Sequence, residues 1–311
     1  MSTATKATDR QSAFTTTPEI PCDECLLRPG NTNCGGCGMS IGLSMLGRIL
    51  AEEDDTCMLA IPACCGIVTA GAYPTTSYGV PTVATTFASA AAVASGLASI
   101  RDLNSEEGQV ICWAGDGGTY DIGLATLSAA AERNENIIYI CYDNEIYGNT
   151  GGQRSSATPP GARTTTTPHG KKEQKKDILG IMAAHGIPYA ASLSIAHPED
   201  FRRKIRTALR MTGMRFLVMH SPCPTGWKSE PADSVELVRL AVRSGLFPLY
   251  EVFDGTRYRI NVEPDWTDPA EYFSRQRRFR SDEIDEEGIK RWSLERFSRL
   301  KKMEEAFPAD A

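Results

Sequence analysis

The chain of 311 residues lacks the sequence features of membrane proteins and of nucleic-acid-binding proteins. It has no apolar run long enough to cross a bilayer and no recognisable secretory signal, so we expect a cytoplasmic protein without membrane contact. It has no long basic stretch, and its formal net charge is −6, which argues against nucleic acid as a partner. Internal repeats are absent, and the four histidines are too scattered to form a metal site.

Apolar residues make up 41% of the chain, enough for a substantial core, and strand-like and helix-like segments alternate along it. This alternation predicts an α/β fold with a mostly parallel sheet and helices on both faces. The predicted strands are 57–61, 110–114, 137–142, 189–193 and 215–220, followed by a hairpin at 250–260. The predicted helices are 87–100, 120–134, 178–185, 198–211 and 234–244. We divide the chain into a flexible N-terminal extension (1–20), a main domain (21–264) and a charged helical tail (265–311).

The most informative segment joins an acidic turn to an asparagine that follows the next strand. Asp116 lies in the turn Gly-Asp-Gly-Gly after predicted strand 110–114, and Asn144 follows predicted strand 137–142. Ligands of parallel sheets collect at the carboxyl ends of strands, where both residues fall. Magnesium prefers oxygen ligands of these types alongside a diphosphate, and the glycines allow close approach of the backbone to phosphates. The pattern predicts a magnesium–diphosphate site, although the turn alone is equally typical of a plain strand-to-helix connection.

The ten cysteines are a second signal, because disulfides are a poor explanation for them in an intracellular protein. Cys34 and Cys37 form a Cys-x-x-Cys pair on a glycine loop before a predicted helix, which suits zinc or iron–sulfur ligation. Such sites usually need two further ligands. Cys22 and Cys25 could complete a four-cysteine N-terminal site, bind metal at a subunit contact, or be incidental thiols. Three cysteines in apolar runs are expected to pack as small hydrophobes: Cys57, Cys112 and Cys141.

The turn at residues 115–118 together with Asn144 resembles the signature of thiamine diphosphate enzymes. The continuation from Asn149, Asn-Thr-Gly-Gly-Gln-Arg-Ser-Ser-Ala-Thr-Pro, resembles the beta subunit of pyruvate:ferredoxin oxidoreductase and its relatives among the 2-oxoacid:ferredoxin oxidoreductases. The resemblance covers about residues 34–264 and implies the thiamine diphosphate-binding fold. It implies magnesium ligation by Asp116, Asn144 and the backbone of Ile146, with Asn149 and Cys65 as catalytic residues. The implied cofactor-binding residues are Gly115, Asp116, Gly117, Gly118, Asn144, Glu145, Ile146, Tyr147, Gly148, Asn149 and Cys65.

The same resemblance implies a four-iron, four-sulfur cluster beside the thiamine diphosphate. Its implied ligands are Cys34, Cys37, Cys65 and Cys223. Cys64 competes with Cys65, and because side chains alternate along an extended chain, only one of the two should face the cluster. We favour Cys65, since Pro74 follows it by nine residues as in the relatives.

The resemblance implies reversible conversion of pyruvate, coenzyme A and oxidised ferredoxin into acetyl-CoA, CO2 and reduced ferredoxin, in a complex with alpha-, gamma- and delta-type subunits. Related oxalate, 2-oxoisovalerate and aryl-glyoxylate enzymes share the scaffold. A non-redox thiamine diphosphate decarboxylase or synthase would have no use for the four cysteines, and a zinc-stabilised binding module would need no thiamine. No segment resembles the one that supplies the glutamate against the aminopyrimidine ring in relatives, so we expect the chain to be inactive alone.

A basic segment and a long loop complete the predictions. Residues 171–176 contain four lysines and are expected to be the solvated start of a helix. Alternatively, Lys175 and Lys176 attract coenzyme A phosphates or an acidic ferredoxin. The preceding loop, residues 150–172, is long for a compact protein, which favours a functional role as a wall of the site.

Overall fold

A computed structural model describes residues 25–71, 76–280 and 284–309 of the chain. The predicted extension at residues 1–20, Cys22 and Pro74 lie outside the described residues. The described part contains an eight-stranded sheet with strand order β2-β1-β3-β4-β6-β5-β7-β8. Its strands are β1 Cys57–Pro62, β2 Thr82–Thr85, β3 Gln109–Gly115, β4 Ile138–Asp143, β5 Tyr189–Ser194, β6 Arg215–His220, β7 Leu249–Phe253 and β8 Arg257–Val262.

Neighbouring strands from β1 to β6 pair in parallel, whereas β7 pairs antiparallel with β5 and β8 antiparallel with β7. The predicted hairpin is confirmed as β7 and β8, whose turn places Asp254 and Gly255 at φ 50° and 70°. The predicted α/β fold with a mostly parallel sheet is therefore confirmed.

Ten α-helices occur in the described ranges, and those that flank the sheet cover both of its faces. They are α1 Gly38–Glu52, α2 Cys65–Thr69, α3 Ala90–Asn104, α4 Leu124–Glu132, α5 Ile178–Ala183, α6 Pro198–Arg210, α7 Pro224–Trp227, α8 Ser234–Arg243, α9 Ala270–Ser274 and α10 Glu286–Ala306. Within these described segments we find no helix with the length and apolar character needed to span a bilayer.

Two apolar layers form the core, one on each face of the sheet. Alternate residues of β3 belong to opposite layers: Val110 and Cys112 pack on one face, and Ile111 and Trp113 on the other. Cys57, Cys112 and Cys141 are all buried in these layers, so the prediction that they pack as small hydrophobes is confirmed. The strand ends are thus held rigidly by a core on both faces.

The helix predicted at 120–134 differs from the one observed. A π-helical turn, Gly117–Asp121, follows β3, and the α-helix begins only at Leu124. The wide turn brings the carbonyl of Gly118 so close to Gly123 that a Cβ at residue 123 would clash with it. Glycine at 123 therefore permits a turn that apolar periodicity alone does not reveal.

The prediction that the basic segment is the solvated start of a helix is wrong for its secondary structure and for Lys171, whereas residues 172–174 are exposed as predicted. Between Asp143 and Ile178 the chain forms neither a helix nor a strand of the sheet. Lys171 is only 3% exposed, and its ammonium group donates to the carbonyls of Thr158 (2.6 Å), Ser156 and Gln174. The lysine replaces water as the donor to these carbonyls, and it thereby closes the long loop on itself.

Candidate functional site

Three neighbouring parallel strands end at one edge of the sheet. In the register of the sheet, Gly115 at the end of β3 lies opposite Tyr142 of β4, and Asp143 at the end of β4 lies opposite His220 of β6. The residues that follow these ends therefore share one rim, which carries Asp116, Asn144 and the loop of Cys223. This is the arrangement expected from the sequence, because parallel strands present their carboxyl ends on the same side.

A cleft of about 490 Å³ opens at this rim, a size typical of small-molecule sites. It is lined by Ala63, Cys64, Cys65, Phe87, Gly115, Asp116, Gly117, Gly118, Tyr142, Asn144, Ile146, Tyr147, Gly148, Asn149, Thr150, Gln153, Arg154 and Thr166. The structure thus brings every predicted cofactor-binding residue to the cleft except Glu145. Phe87 was missed by the sequence analysis, since nothing in its local pattern links it to the turn at Asp116, whereas Thr166 belongs to the loop 150–172 that was predicted to be a wall of the site.

Asp116 is an acidic group at the base of the cleft, only 1% exposed. The hydroxyl of Ser155 donates to its carboxylate, and no lysine or arginine in the described ranges forms an ion pair with it. Burial raises the pKa of Asp116 well above its usual range, and the nearby Asp143 carboxylate raises it further. A buried carboxylate in this setting is stabilised by a cation, so Asp116 fits the requirements of a magnesium ligand.

The loop after β4 is fixed by hydrogen bonds from several elements. The side-chain oxygen of Asn144 accepts from the backbone N–H of Ile146 (3.3 Å), and its carbonyl accepts from the indole N–H of Trp227 (2.8 Å). Glu145, between Asn144 and Ile146, has a φ of 63°, and its backbone carbonyl accepts from the hydroxyl of Thr158 (2.6 Å). A left-handed conformation is unfavourable for glutamate, so the surrounding contacts must hold it.

The side chain of Glu145 is directed into the interior, away from the cleft lining. It accepts from Lys175 (2.8 Å) and from Arg278 (2.6 Å), while Lys175 also pairs with Asp143 (2.6 Å). Burial disfavours the charge of Glu145, but these two cations hold the pKa of its carboxyl well below the usual range. Burial lowers the pKa of the adjacent His220 to about 3, so the imidazole is neutral. Two carboxylates, Asp143 and Glu145, and two cations, Lys175 and Arg278, therefore balance beneath the loop that follows β4.

Tyr147 forms part of the cleft wall and explains one of the glycines. Its ring occupies the position that a Cβ on Gly117 would take, so only glycine fits there. The hydroxyl of Tyr147 donates to Asp121 (2.6 Å), and its ring makes an edge contact with Phe87 at 5.9 Å between centroids. The wall is consequently held in place by the turn that carries Asp116.

The cysteines of the sequence analysis approach the same cleft. A Cβ placed on Gly148 would lie 3.5 Å from the Sγ of Cys65 and 3.9 Å from the Sγ of Cys223. The turn of Cys34 and Cys37 is bound to this region, because the N–H of Gly38 donates to the carbonyl of Pro222 (3.0 Å). In addition, the hydroxyl of Thr225 lies 3.6 Å from the Sγ of Cys34. The three loops that carry these four cysteines therefore lie against one another.

The electrostatics of these thiols reflect their proximity. Burial, together with the nearby Cys223, Cys64 and Cys37, raises the pKa of Cys65 to about 12. Burial likewise raises the pKa of Cys223 to about 11, with contributions from Cys37 and Cys34. Such a group ionises readily only when a cation compensates the charge.

Cys64 has different surroundings from Cys65. Its thiol donates to the carbonyl of Pro62 (2.9 Å), and its side chain is packed in the core with 7% exposure. Cys25 is half-buried, and its predicted companion Cys22 lies outside the described residues, so the N-terminal four-cysteine site stays a prediction. In the described segments no three His, Cys, Asp or Glu side chains converge as they would around a single metal ion.

Comparison with known proteins agrees with this geometry. Residues 63–219 match the family model described as the thiamine pyrophosphate enzyme C-terminal TPP binding domain. The chain is 45% identical over 269 residues to pyruvate synthase subunit PorB of Methanothermobacter thermautotrophicus, covering 84% of this chain and 92% of that subunit. It is 43% identical over 293 residues to ketoisovalerate oxidoreductase subunit VorB of Pyrococcus horikoshii, covering 89% of this chain and 93% of that subunit.

A solved structure supports the fold. It is the 2-oxoglutarate:ferredoxin oxidoreductase from Magnetococcus marinus with 2-oxoglutarate, coenzyme A and succinyl-CoA bound. The superposition has a TM-score of 0.58 at 24% sequence identity and covers 73% of this chain and 83% of that one. The matched domain, the two subunit relatives and the shared rim together show that the chain belongs to the family of beta subunits of the 2-oxoacid:ferredoxin oxidoreductases.

Proposed function

We propose that this chain is the subunit of a pyruvate:ferredoxin oxidoreductase that holds thiamine diphosphate, Mg2+ and a four-iron, four-sulfur cluster. The observation that carries the proposal is the shared rim, where the buried carboxylate of Asp116 and the thiols of Cys65 and Cys223 approach one cleft. A second candidate is the oxidation of 2-oxoisovalerate, because the VorB relative is nearly as similar as the PorB relative and covers more of the chain.

Under this proposal, Mg2+ is held by Asp116, the side chain of Asn144 and the backbone carbonyl of Ile146. The hydroxyl of Ser155 orients the Asp116 carboxylate, and the hydrogen bonds around Asn144 fix its side chain. When bound, thiamine diphosphate supplies the nucleophilic carbon for decarboxylation of a 2-oxoacid, and an iron–sulfur cluster accepts electrons singly. The residues of this chain would position both groups, and the edge contact between Tyr147 and Phe87 forms one wall of the cleft.

The cluster ligands in this proposal are Cys34, Cys37, Cys65 and Cys223. Their arrangement around three loops suits a cubane cluster, in which each thiolate binds a different iron, better than a single zinc ion held at one point. The orientation of the Cys64 thiol towards Pro62 supports Cys65 as the ligand. Cys65 and Asn149 both line the cleft and are proposed to lie nearest the reacting carbon.

The substrates and partners follow from the family and remain part of the proposal. They are a small 2-oxoacid, coenzyme A and ferredoxin, with alpha-, gamma- and delta-type subunits completing the complex in the cytoplasm. The Magnetococcus marinus enzyme, which shares this fold, has 2-oxoglutarate, coenzyme A and succinyl-CoA bound, and this supports a 2-oxoacid and coenzyme A as substrates here.

The test is anaerobic purification of the complex followed by analysis of thiamine diphosphate, iron and acid-labile sulfide. Activity is then measured as coenzyme A-dependent viologen reduction with pyruvate, 2-oxoisovalerate, oxalate and an aryl glyoxylate. We expect pyruvate to give the highest kcat/KM. A colourless complex that decarboxylates without reducing viologen would instead identify a non-redox thiamine enzyme, and zinc without thiamine would identify a binding module.

Two variants separate the two proposed sites. Asp116→Ala should abolish thiamine diphosphate binding while the iron content stays near that of the wild type. Cys223→Ser should lower the iron and sulfide content while thiamine diphosphate still binds. Asp102→Ala on the exposed end of α3 is the matched control and should change neither. Loss of both cofactors in either variant would contradict the assignment of separate ligand sets.

A further inference from the structure

A single buried arginine from the C-terminal part of the chain contacts both loops of the proposed site. Arg278 follows α9 and is only 1% exposed. Its guanidinium donates to the carboxylate of Glu145 (2.6 Å) and lies over the ring of Trp227, with 4.0 Å from the guanidinium carbon to the ring centroid. Gln276 accepts from its Nε (2.9 Å), which fixes the plane of the group.

On one side of Arg278, Trp227 lies next to the loop that follows β6 and carries Cys223, which we call the cysteine loop. Trp227 ends α7, the short helix that begins directly after Cys223, and it is completely buried. Its indole N–H donates to the carbonyl of Asn144, so the cysteine loop contacts the loop that follows β4 at this point. The backbone N–H of Arg278 also donates to the carbonyl of Trp227 (3.3 Å). Arg278 therefore packs against the ring that joins the two loops.

On the other side of Arg278, Glu145 belongs to the loop that follows β4, which we call the magnesium loop because it carries two of the proposed magnesium ligands. Glu145 lies between Asn144 and Ile146, the two proposed magnesium ligands that follow β4, and its backbone is in the left-handed region. Such a conformation persists only where the surrounding contacts determine it. Its carboxylate is held between Lys175 and Arg278, and these two contacts fix the side chain on which the loop turns.

We propose that Arg278 is a positioning residue that sets the orientation of the magnesium loop relative to the cysteine loop. The proposal rests on the proposed function, since it assumes that the two loops carry a cofactor and a cluster. The planar guanidinium can stack on Trp227 and donate to Glu145 at the same time. A lysine ammonium can reach the carboxylate but has no planar face. An Arg278→Lys variant therefore keeps the contact with Glu145 and loses the stacking on Trp227.

The experiment uses the complete complex with Arg278→Lys and Arg278→Gln. We measure the Kd of thiamine diphosphate at saturating Mg2+ by calorimetry and the electron paramagnetic resonance spectrum of the reduced cluster. Both variants should bind thiamine diphosphate about 10- to 100-fold more weakly, the range for residues that orient metal ligands, and both should show an altered cluster spectrum. Arg277→Gln is the control, because this neighbouring side chain is 74% exposed and forms its ion pair with Glu230.

A third variant tests the link through the indole. Trp227→Phe keeps a ring beneath the guanidinium but removes the N–H that donates to Asn144. It should weaken thiamine diphosphate binding and alter the cluster spectrum, as Arg278→Lys does. This variant also carries the test if Arg278→Gln does not fold.

The outcomes separate the inference from the proposed function. A wild-type complex that holds neither thiamine diphosphate nor a cluster would refute the proposed function. A wild-type complex that holds both, with Arg278→Lys indistinguishable from it in Kd and spectrum, would overturn the inference alone. A lower melting temperature with unchanged Kd and spectrum would also overturn it, because that is the result a purely structural arginine gives.

Discussion

At the scale of single residues, the two adjacent cysteines after β1 show how local geometry assigns chemistry. Cys65 begins α2, and its Sγ lies near the Cβ position of Gly148 and, beyond it, the thiol of Cys223. Cys64 is in an extended conformation and donates its thiol proton to the carbonyl of Pro62. The change from extended to helical backbone between the two residues directs their side chains into different surroundings.

This difference predicts opposite effects of two serine substitutions. Cys65→Ser should remove most of the iron and acid-labile sulfide, because the hydroxyl is a poor replacement for a cluster thiolate. Cys64→Ser should retain both, since a serine hydroxyl can still donate to Pro62. Iron, sulfide and visible absorption are measured on anaerobically purified complexes. Retained iron in Cys65→Ser together with its loss in Cys64→Ser would reverse the assignment.

The sequence was sufficient to predict residues whose position depends on the ends of strands. Asp116 and Asn144 could be placed on one rim because each follows an apolar run and the runs were expected to be parallel neighbours. Arg278 could not be predicted, since its partner Glu145 lies 133 residues away and no local pattern marks either residue as a pair. Such contacts depend on the path of the tail across the core.

At the scale of elements, the loop between β4 and α5 is held by one buried and one half-buried lysine, Lys171 and Lys175, rather than by secondary structure. Lysines are normally solvated, so the sequence pattern favoured a surface role for residues 171–176. In the structure Lys171 donates to three carbonyls and Lys175 pairs with Asp143 and Glu145. The prediction failed for these two lysines because a run of charged residues does not show which buried carbonyls and carboxylates need a lysine as their hydrogen-bond donor.

Replacement of Lys175 should therefore destabilise the fold. Lys175→Met leaves Asp143 and Glu145 as buried carboxylates with one cation fewer, a loss that typically costs about 3–5 kcal/mol in the free energy of unfolding. Urea unfolding measures the change, with Lys172→Met as the control because that side chain is exposed. If Lys175→Met kept wild-type stability and weakened only the affinity for ferredoxin or coenzyme A, the alternative surface role of this lysine would be supported instead.

Helix α6 carries a second buried lysine with a consequence for pH dependence. Lys204 is completely buried, and its ammonium lies 2.7 Å from Asp200 and 2.8 Å from the carbonyl of Ser192. Burial lowers the pKa of Lys204 to about 8. An unfolded lysine retains its proton up to about pH 10.4, so between these values the unfolded state binds more protons than the folded state. The penalty for the buried charge is thus present below about pH 8 and is relieved as the pH rises.

We therefore predict a pH-dependent difference between the wild type and Lys204→Met. The free energy of unfolding of the wild type, minus that of the variant, should rise by about 3 kcal/mol between about pH 8 and pH 10.4. Urea titrations across this range provide the measurement, and other titrating groups cancel in the difference. Lys302→Met on α10 removes an exposed lysine and should show no comparable slope. A flat difference for Lys204→Met would show that the folded state keeps this lysine protonated throughout.

At the scale of the whole molecule, some neighbouring strands of the sheet are consecutive in the chain, such as β3 and β4, and others are not, such as β4 and β6. The parallel arrangement of β1 to β6 follows from the alternation of strands and helices, which is visible in the sequence. The insertion of β5 between β6 and β7 is not visible there, because it depends on which strand edge the chain reaches after α6. The tail division at residue 264 stays a prediction, although Tyr272 and Phe273 of α9 pack into the main core.

Among the described residues, the lining of the cleft has no glutamate to contact the aminopyrimidine ring of thiamine diphosphate. Asp116 is the one acidic residue that lines the cleft in the described part of the chain, and Glu145 is committed to buried ion pairs. Because no glutamate among the described residues is available to contact the aminopyrimidine ring, the isolated chain should bind thiamine diphosphate weakly and should not oxidise 2-oxoacids. Addition of the separately purified partner subunits should tighten binding and restore coenzyme A-dependent viologen reduction. Turnover by the isolated chain at the rate of the complex would mean that a carboxylate outside the described residues completes the site.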